Sequence, residues 1–290
     1  MHGDPIVALL GRRTSLPIRR IVSPGALLAV DPLDPDPDAD VILLPGAEVP
    51  RDAHIDDRID VFVYLDSDDR PIATTREPVL ELGQATFLEV TAVTPIGAFV
   101  DWGLAKELLV PYAEQSKELY VGEHQPIGLY LDKSRRLAGT MMVGDLLGLP
   151  PRRVARDEWI PGEAWRNDPE FGLFVILEKS FVGLVPASEP HRLQRGERAE
   201  FRVAHVQPDG KVVLSLRKHA HEELAADAEK IFRALSRPDA PRVGDRSDPE
   251  LVRELFGLSK KAFKRAVGSL LKARRVTIDD SGCVVVRRPG

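Results

Sequence analysis

Three stretches of the chain repeat one pattern of apolar and polar positions. Residues 25–28 (GALL), 97–100 (GAFV) and 172–175 (GLFV) each open on a glycine and run apolar. Each is answered by a second apolar run that stops at Pro45, Pro111 and Pro186 respectively. The glycine-to-proline spacing is 14 residues in the second and third copies and 20 in the first. The extra length of the first copy coincides with residues 31–40, DPLDPDPDAD. Proline cannot donate to a strand ladder, so this insert predicts a solvated loop. Every copy then closes with alternating apolar positions: 61–66 leading to 72–75, 127–132 leading to 137–140, and 201–206 leading through Pro208, Asp209 and Gly210 to 212–216. Period-two alternation bounded by turn residues predicts strands. Three units of roughly 65–75 residues with about five short strands each predict small Greek-key barrels of the OB class.

After Lys218 the period changes. Leu224, Ala228, Ile231, Phe232 and Leu235 fall at helical spacing over residues 221–235, and residues 237–248 form a Pro-containing linker. Asp248 and Pro249 predict an N-cap and first helical residue, opening a helix through Phe256 that stops at Gly257. Ser259 predicts the cap of a second helix running to about Arg274, whose Phe263, Val267, Leu270 and Leu271 follow i, i+4, i+7, i+8. Two strands, 276–278 and 283–286, joined by the turn 279–282 (DDSG), complete the order helix, helix, hairpin of a winged helix-turn-helix. The expected fold class is therefore mainly β with an α+β C-terminal domain. Domains are expected at 1–77, 78–146 and 147–219 for the barrels and 220–290 for the winged helix.

Composition narrows the function. At 290 residues and 43% hydrophobic, the chain can bury several small cores. No apolar run approaches the roughly 20 residues of a membrane span. Residues 6–10 are too short for a signal peptide, and Arg12 and Arg13 follow them rather than precede them. One cysteine, Cys283, allows no internal disulfide and no Cys-based metal site, which makes a reducing cytoplasmic setting the default. The net charge of −5 is unevenly spread: from Gly257 onward nine Lys/Arg face two Asp, a local +7, so the preceding residues carry −12. Between Asp31 and Arg70 thirteen acidic residues face three arginines. An acidic front and a basic tail predict that only part of the molecule meets a polyanion.

Residues 97–115 (GAFVDWGLAKELLVPYAEQ) resemble the strand 2–3 region of the S1-type RNA-binding domain. Together with VFVYLDSDDRPIATT, DGKVVLSL and ELFGLSKKAFKRAVGSLLKARRVTIDDSG, they resemble the conserved virulence factor B (YitL-like) family over roughly residues 60–290. The resemblance implies three S1-like domains followed by a winged helix, and a role in RNA binding and control of gene expression. Where ordinary S1 domains place a histidine, this chain has Pro45, Pro111 and Pro186, and Leu27 replaces the aromatic of the first copy. The first barrel, set in acidic surroundings, is not expected to touch phosphate.

Three surfaces are candidates for nucleic-acid contact. In the middle barrel Phe99, Trp102, Tyr112 and Tyr130, with Lys106, Arg135 and Arg136 nearby, form either a stacking face with a cationic rim or part of the core. In the third, Phe171, Phe174, Lys179 and Phe181, with His191 and Arg217 near strand ends, form a comparable set. In the last helix Lys260, Lys261, Lys264, Arg265 and Lys272, joined by Arg274 and Arg275, run without an acidic residue, and Gly268 shares their arc. One-sided lysine without interleaved glutamate favours polyanion contact over a salt-bridged surface.

Asp279 and Asp280 at the wing tip count against docking on duplex DNA, and no Asn or Gln lies on the helix to read adenine. RNA, single-stranded or structured, is the expected partner, with duplex DNA or a protein of the translation or transcription machinery as alternatives. His219 and His221, with Glu222 and Glu223, resemble metal ligands, but two histidines two residues apart do not share a helical face, and His205 reads as structural. Asp66 and Asp132 recur at turns, where Asp satisfies local backbone donors. No phosphate loop or nucleophile elbow is present, so the expectation is a non-enzyme without metal or cofactor.

Overall fold

The computed structural model describes residues 5–34, 36, 40–216, 220–237 and 239–287. It divides into two compact units, residues 1–215 and 216–290.

The first unit holds three five-stranded barrels. After a short helix α1 (Pro5–Leu9), strands β1 (Arg13–Val22), β2 (Gly25–Ala29), β3 (Val41–Pro45), β4 (Arg58–Leu65) and β5 (Pro71–Thr74) close in the order β1-β2-β3-β5-β4. The second barrel comprises β6 (Ala85–Thr94), β7 (Gly97–Val100), β8 (Leu108–Pro111), β9 (His124–Leu131) and β10 (Leu137–Thr140). It has the same neighbours but no ladder between β8 and β10. Those two strands still lie side by side, since a Cβ on Gly139 would meet Val110 at 2.8 Å. A single-turn helix α2 (Val143–Leu146) leads to the third barrel, β11 (Trp159–Asp168), β12 (Gly172–Leu177), β13 (Phe181–Pro186), β14 (Arg198–Val206) and β15 (Val212–Ser215), closed in the order of the first. Neither short helix has a strong sequence signal.

The glycine–proline spacing has a direct structural cause. Gly25, Gly97 and Gly172 stand opposite Pro45, Pro111 and Pro186 in the β2–β3, β7–β8 and β12–β13 ladders. Each glycine has φ between 116° and 154°, and a Cβ there would lie 2.0–2.3 Å from the carbonyl oxygen of Leu44, Val110 or Val185. No other residue fits that approach. Proline ends each partner strand, where its missing N–H breaks no ladder.

The repeat extends to a shared irregularity. The first strand of every barrel is bulged one residue before its second half, at Arg19, Thr91 and Trp165. A bulge re-aims its extra side chain. Arg19 turns onto the acidic loop, donating to the carbonyl oxygens of Asp31 and Asp34 at 3.0 Å each, and also to that of Asp36. Thr91 bonds within its own barrel, to Phe99 O at 3.0 Å. Trp165 packs into the seam between the second and third barrels.

The barrels are joined by packing and by buried polar ties. Phe62 of the first barrel belongs to the core of the second and meets Trp102 edge-on at 5.8 Å. Between the second and third, Ala85, Val143, Leu147 and Ile176 form an apolar seam with Phe87 and Trp165 at its margin. Beside it the nearly buried Glu163 accepts from Thr86 Oγ1 at 2.7 Å and from Arg198 at 2.8 Å.

In the second unit α3 (Ala220–Leu235), α4 (Pro249–Phe256), α5 (Lys260–Lys272) and the hairpin β16 (Val276–Ile278)–β17 (Val284–Val286) enclose one core. A bridge between Gly244 and Cys283 adds the third short strand of a winged helix. Asp248 accepts from Glu250 N at 2.7 Å and Ser259 from Ala262 N at 3.2 Å, so both caps act as their sequence positions imply. Gly257 ends α4 in the left-handed conformation at φ 61°. Among the described residues no helix is long and apolar enough to cross a membrane.

Candidate nucleic-acid interface

The middle-barrel set divides between core, inter-barrel ties and solvent. Trp102 is 2% exposed, with Nε1 donating to Lys106 O at 2.6 Å, and its indole fills the core against Phe62. It presents no face to a base, which corrects its place among the stacking candidates. The turn after β7 folds its aromatic inward because the first barrel supplies Phe62 to cover it. Lys106 turns toward the first barrel, donating to Asp66 O at 2.6 Å and lying 3.6 Å from Asp69. Arg136 pairs with Asp69 at 2.7 Å. Two of the three rim cations, Lys106 and Arg136, are thus spent on the acidic first barrel. Tyr130 is half-buried, and its phenol is pushed up to about 12, first by burial and then by its hydrogen bond to Glu114. Phe99 is half-buried in a ≈ 200 Å³ cleft with Tyr64 and Lys106. Tyr112, half-exposed, donates to Thr94 O at 2.8 Å, and Arg135 is exposed at φ 62° in a turn whose donors Asp132 satisfies.

In the third barrel Lys179 Nζ donates to Val79 O at 2.7 Å, another tie between barrels rather than a free cation. Phe181 is fully buried and Phe171 exposed. Arg217 and His219 lie outside the described residues. Phe174 remains, half-buried and edge-on to Trp165 at 6.4 Å, with the Arg166 guanidinium 4.6 Å above its ring. Arg166 was not among the sequence candidates. Its signal was the aromatic–basic pair Trp165-Arg166 on a strand expected to face Phe174, a cross-strand register that spacing alone does not fix.

On α5 the cations separate into two groups. Lys260 donates to Gly244 O at 3.2 Å and to Ser247 O, and Lys264 pairs with Asp245 at 2.7 Å, which holds that carboxyl below its usual range. Arg275 stacks on Phe232 at 3.7 Å and pairs with Glu229 at 2.7 Å. Lys261, Arg265 and Lys272 are exposed, and none has an ion pair with a described residue. At 100° per residue they share an arc of about 60° with Gly268, where a Cβ would meet nothing within 4 Å. The face is a cationic stripe with a gap in its middle.

The wing tip is less repulsive than its sequence implies. Asp279 accepts from Ser281 Oγ at 2.6 Å and Cys283 N at 2.9 Å, and lies 3.6 Å from Arg242. Those hydrogen bonds, Ser281 foremost, hold its carboxyl below the usual range. Of the two aspartates there, only Asp280 is exposed.

Family models agree with these two architectures. The S1 domain model matches residues 10–76 and 82–142, and the CvfB-like winged helix domain model matches residues 229–284. The first barrel, where sequence resemblance is weakest, is thus matched as well. The protein YitL of Bacillus subtilis is 31% identical over 249 residues, covering 82% of this chain and 83% of its own. The chain belongs to the conserved virulence factor B (CvfB) family. A relative of that name from Staphylococcus epidermidis is 28% identical over 266 residues, covering 88% of this chain and 89% of its own. A solved Streptococcus pneumoniae structure, described as a multidomain protein with nucleic acid binding domains, aligns over 97% of this chain and 99% of that one, at 24% identity and TM-score 0.41. S1 and winged-helix domains in one CvfB-family chain support a nucleic-acid-binding regulatory role.

Proposed function

We propose that this protein is a non-enzymatic, cytoplasmic RNA-binding regulator that acts on transcripts after their synthesis. The observation that carries the reading is the stripe Lys261–Arg265–Gly268–Lys272: three exposed cations left free of carboxylates on one helical face, in a protein that ties most of its other described candidate cations into internal ion pairs or hydrogen bonds. Such a face binds phosphate with little regard to sequence. It carries no Asn or Gln for base-edge readout, which favours backbone contact over duplex reading.

The test is anisotropy of the full chain with a labelled single-stranded RNA and a duplex DNA of the same sequence across a salt series. Log affinity for RNA is expected to fall linearly with log salt, with a slope of about −0.7 per phosphate contact. The variant carrying Lys261→Glu, Arg265→Glu and Lys272→Glu is expected to lose roughly 2 units of that slope. Absence of salt-dependent RNA binding by the unaltered chain would end the proposal.

Duplex DNA is the second reading, favoured by the Arg242 guanidinium 3.6 Å from Asp279, which offsets part of the repulsion expected at the wing. A tighter, sequence-dependent duplex signal that collapses in the Arg265→Ala variant would replace the RNA reading with this one.

A further inference from the structure

The seam between the second and third barrels opens at one end into a cleft of ≈ 470 Å³, lined by Ser116, Met141, Trp165, Arg166, Asn167 and Arg195 among others, with no acidic side chain in its wall. Its two guanidinium groups are held in the same way. Arg166 lies 4.6 Å from the Phe174 ring centre and 5.4 Å from that of Trp165. Arg195, from the loop before β14, lies 5.9 Å from the ring of Phe87 on β6. Both cations come from the third barrel, Arg166 lying over that barrel's own Phe174 and Arg195 over Phe87 of the second. Both are exposed, and neither makes an ion pair with a described residue. Arg166 acts on Asp168 through its charge alone, after the Phe171 and Glu170 amides in holding that carboxyl below its usual range, whereas Lys106, Arg136 and Lys264 are in direct ion pairs.

A guanidinium stacked on a ring keeps its in-plane N–H donors, so it remains able to grip a phosphate with two parallel hydrogen bonds. Its outer face, with the aromatic beneath, also forms a platform on which an unpaired base can stack. Asn167 and Ser116 add neutral hydrogen-bonding groups in the same wall. The bulge at Trp165 creates the site: it sends the indole into the seam beside Gly144, where an added Cβ would meet it at 3.3 Å, and leaves Arg166 in register with Phe174. The equivalent bulge residues Arg19 and Thr91 bond inside the first and second barrels, so they build no such platform there.

We infer that this inter-barrel cleft binds a single-stranded segment of RNA, with Arg166 and Arg195 on successive phosphates and a base stacked at Arg166–Phe174. The inference rests on the RNA-binding reading and adds a second contact region to it, one that requires unpaired bases.

The test uses the full chain with labelled oligouridylate, oligoadenylate and a blunt RNA duplex of equal length. Arg166→Glu with Arg195→Glu is expected to weaken single-strand binding at least about tenfold and to lower the log–log salt slope by roughly 1.4, two contacts at ~0.7 each, while the thermal midpoint is unchanged. Arg166→Lys, which keeps the charge and loses the plane, is expected to fall between. Tryptophan emission is expected to be quenched by oligonucleotide in the unaltered chain and not in Trp165→Phe. Wild-type affinity and slope in the double variant, with RNA binding otherwise intact, would overturn the cleft and leave the α5 reading standing. No RNA binding by the unaltered chain would overturn both. Equal affinity for duplex, or displacement of RNA by polyglutamate at equal concentration, would overturn the single-strand assignment.

Discussion

Glu163 of the third barrel and Thr86 of the second share a buried hydrogen bond of 2.7 Å, and the same carboxylate reaches Arg198 at 2.8 Å and Phe87 N at 3.3 Å. One side chain thus fixes the edge of the seam that carries Phe87, which lies under Arg195, and Trp165, which lines the cleft. Glu163→Ala would leave the Thr86 hydroxyl and an amide without their acceptor, a loss of about 1–3 kcal/mol for a buried unsatisfied group. The expected outcome is a denaturant midpoint shift of that size, together with weaker single-strand binding. Stability loss with unchanged binding would show that the seam does not position the cleft.

Trp102 and its cationic neighbours part ways in the same kind of experiment. Trp102→Ala removes a buried indole and is expected to cost about 3–5 kcal/mol, as large aromatic truncations do. Arg136→Ala breaks a largely exposed pair with Asp69, worth about 0–1 kcal/mol at most. Neither Arg136→Ala nor Lys106→Ala is expected to change the salt slope of RNA binding, because both cations already face carboxylates of the first barrel. A lower slope in either variant would return the middle-barrel rim to the list of contacts.

The repeat was legible in the sequence because its signal is covalent geometry. Only glycine fits opposite Val110 O and only a strand end accepts Pro111, so spacing alone located the barrels. The winged helix was legible for a similar reason, since Asp248, Ser259 and Gly257 act locally. The partition of cations was not. Whether Lys106 or Arg166 stays free depends on where Asp69 and Phe174 arrive from elsewhere in the chain, and spacing carries no record of that. The inward turn of Trp102 likewise depends on Phe62, forty residues earlier and in another barrel.

Tyr130 gives a pH signature of the middle barrel. Burial, then the hydrogen bond to Glu114, raise its phenol to about 12 in the folded state, against about 10 in an unfolded chain. The neutral form is therefore the one that folding favours. Its contribution is complete below pH ~10 and is lost as pH rises through about 12. A phenolate absorbance titration is expected to show a late-ionising tyrosine that is missing in Tyr130→Phe, and the variant's stability is expected to fall less steeply over that window. An unchanged titration in the variant would contradict the assignment.

Gly268 offers the sharpest separation of stability from binding. It sits mid-helix in α5, where glycine is about 0.8–1 kcal/mol worse than alanine, and a Cβ there would touch nothing within 4 Å. Gly268→Ala is therefore expected to raise the unfolding free energy by roughly that amount. The same position lies between Arg265 and Lys272 on the exposed stripe, where a missing side chain lets a phosphate backbone come close to the helix. Affinity for RNA is accordingly expected to fall as the side chain grows from alanine to glutamine, even though glutamine is neutral and a good helix former. If Gly268→Gln binds as tightly as the unaltered chain across the salt series, the gap is not a contact, and the stripe acts through its three charges alone.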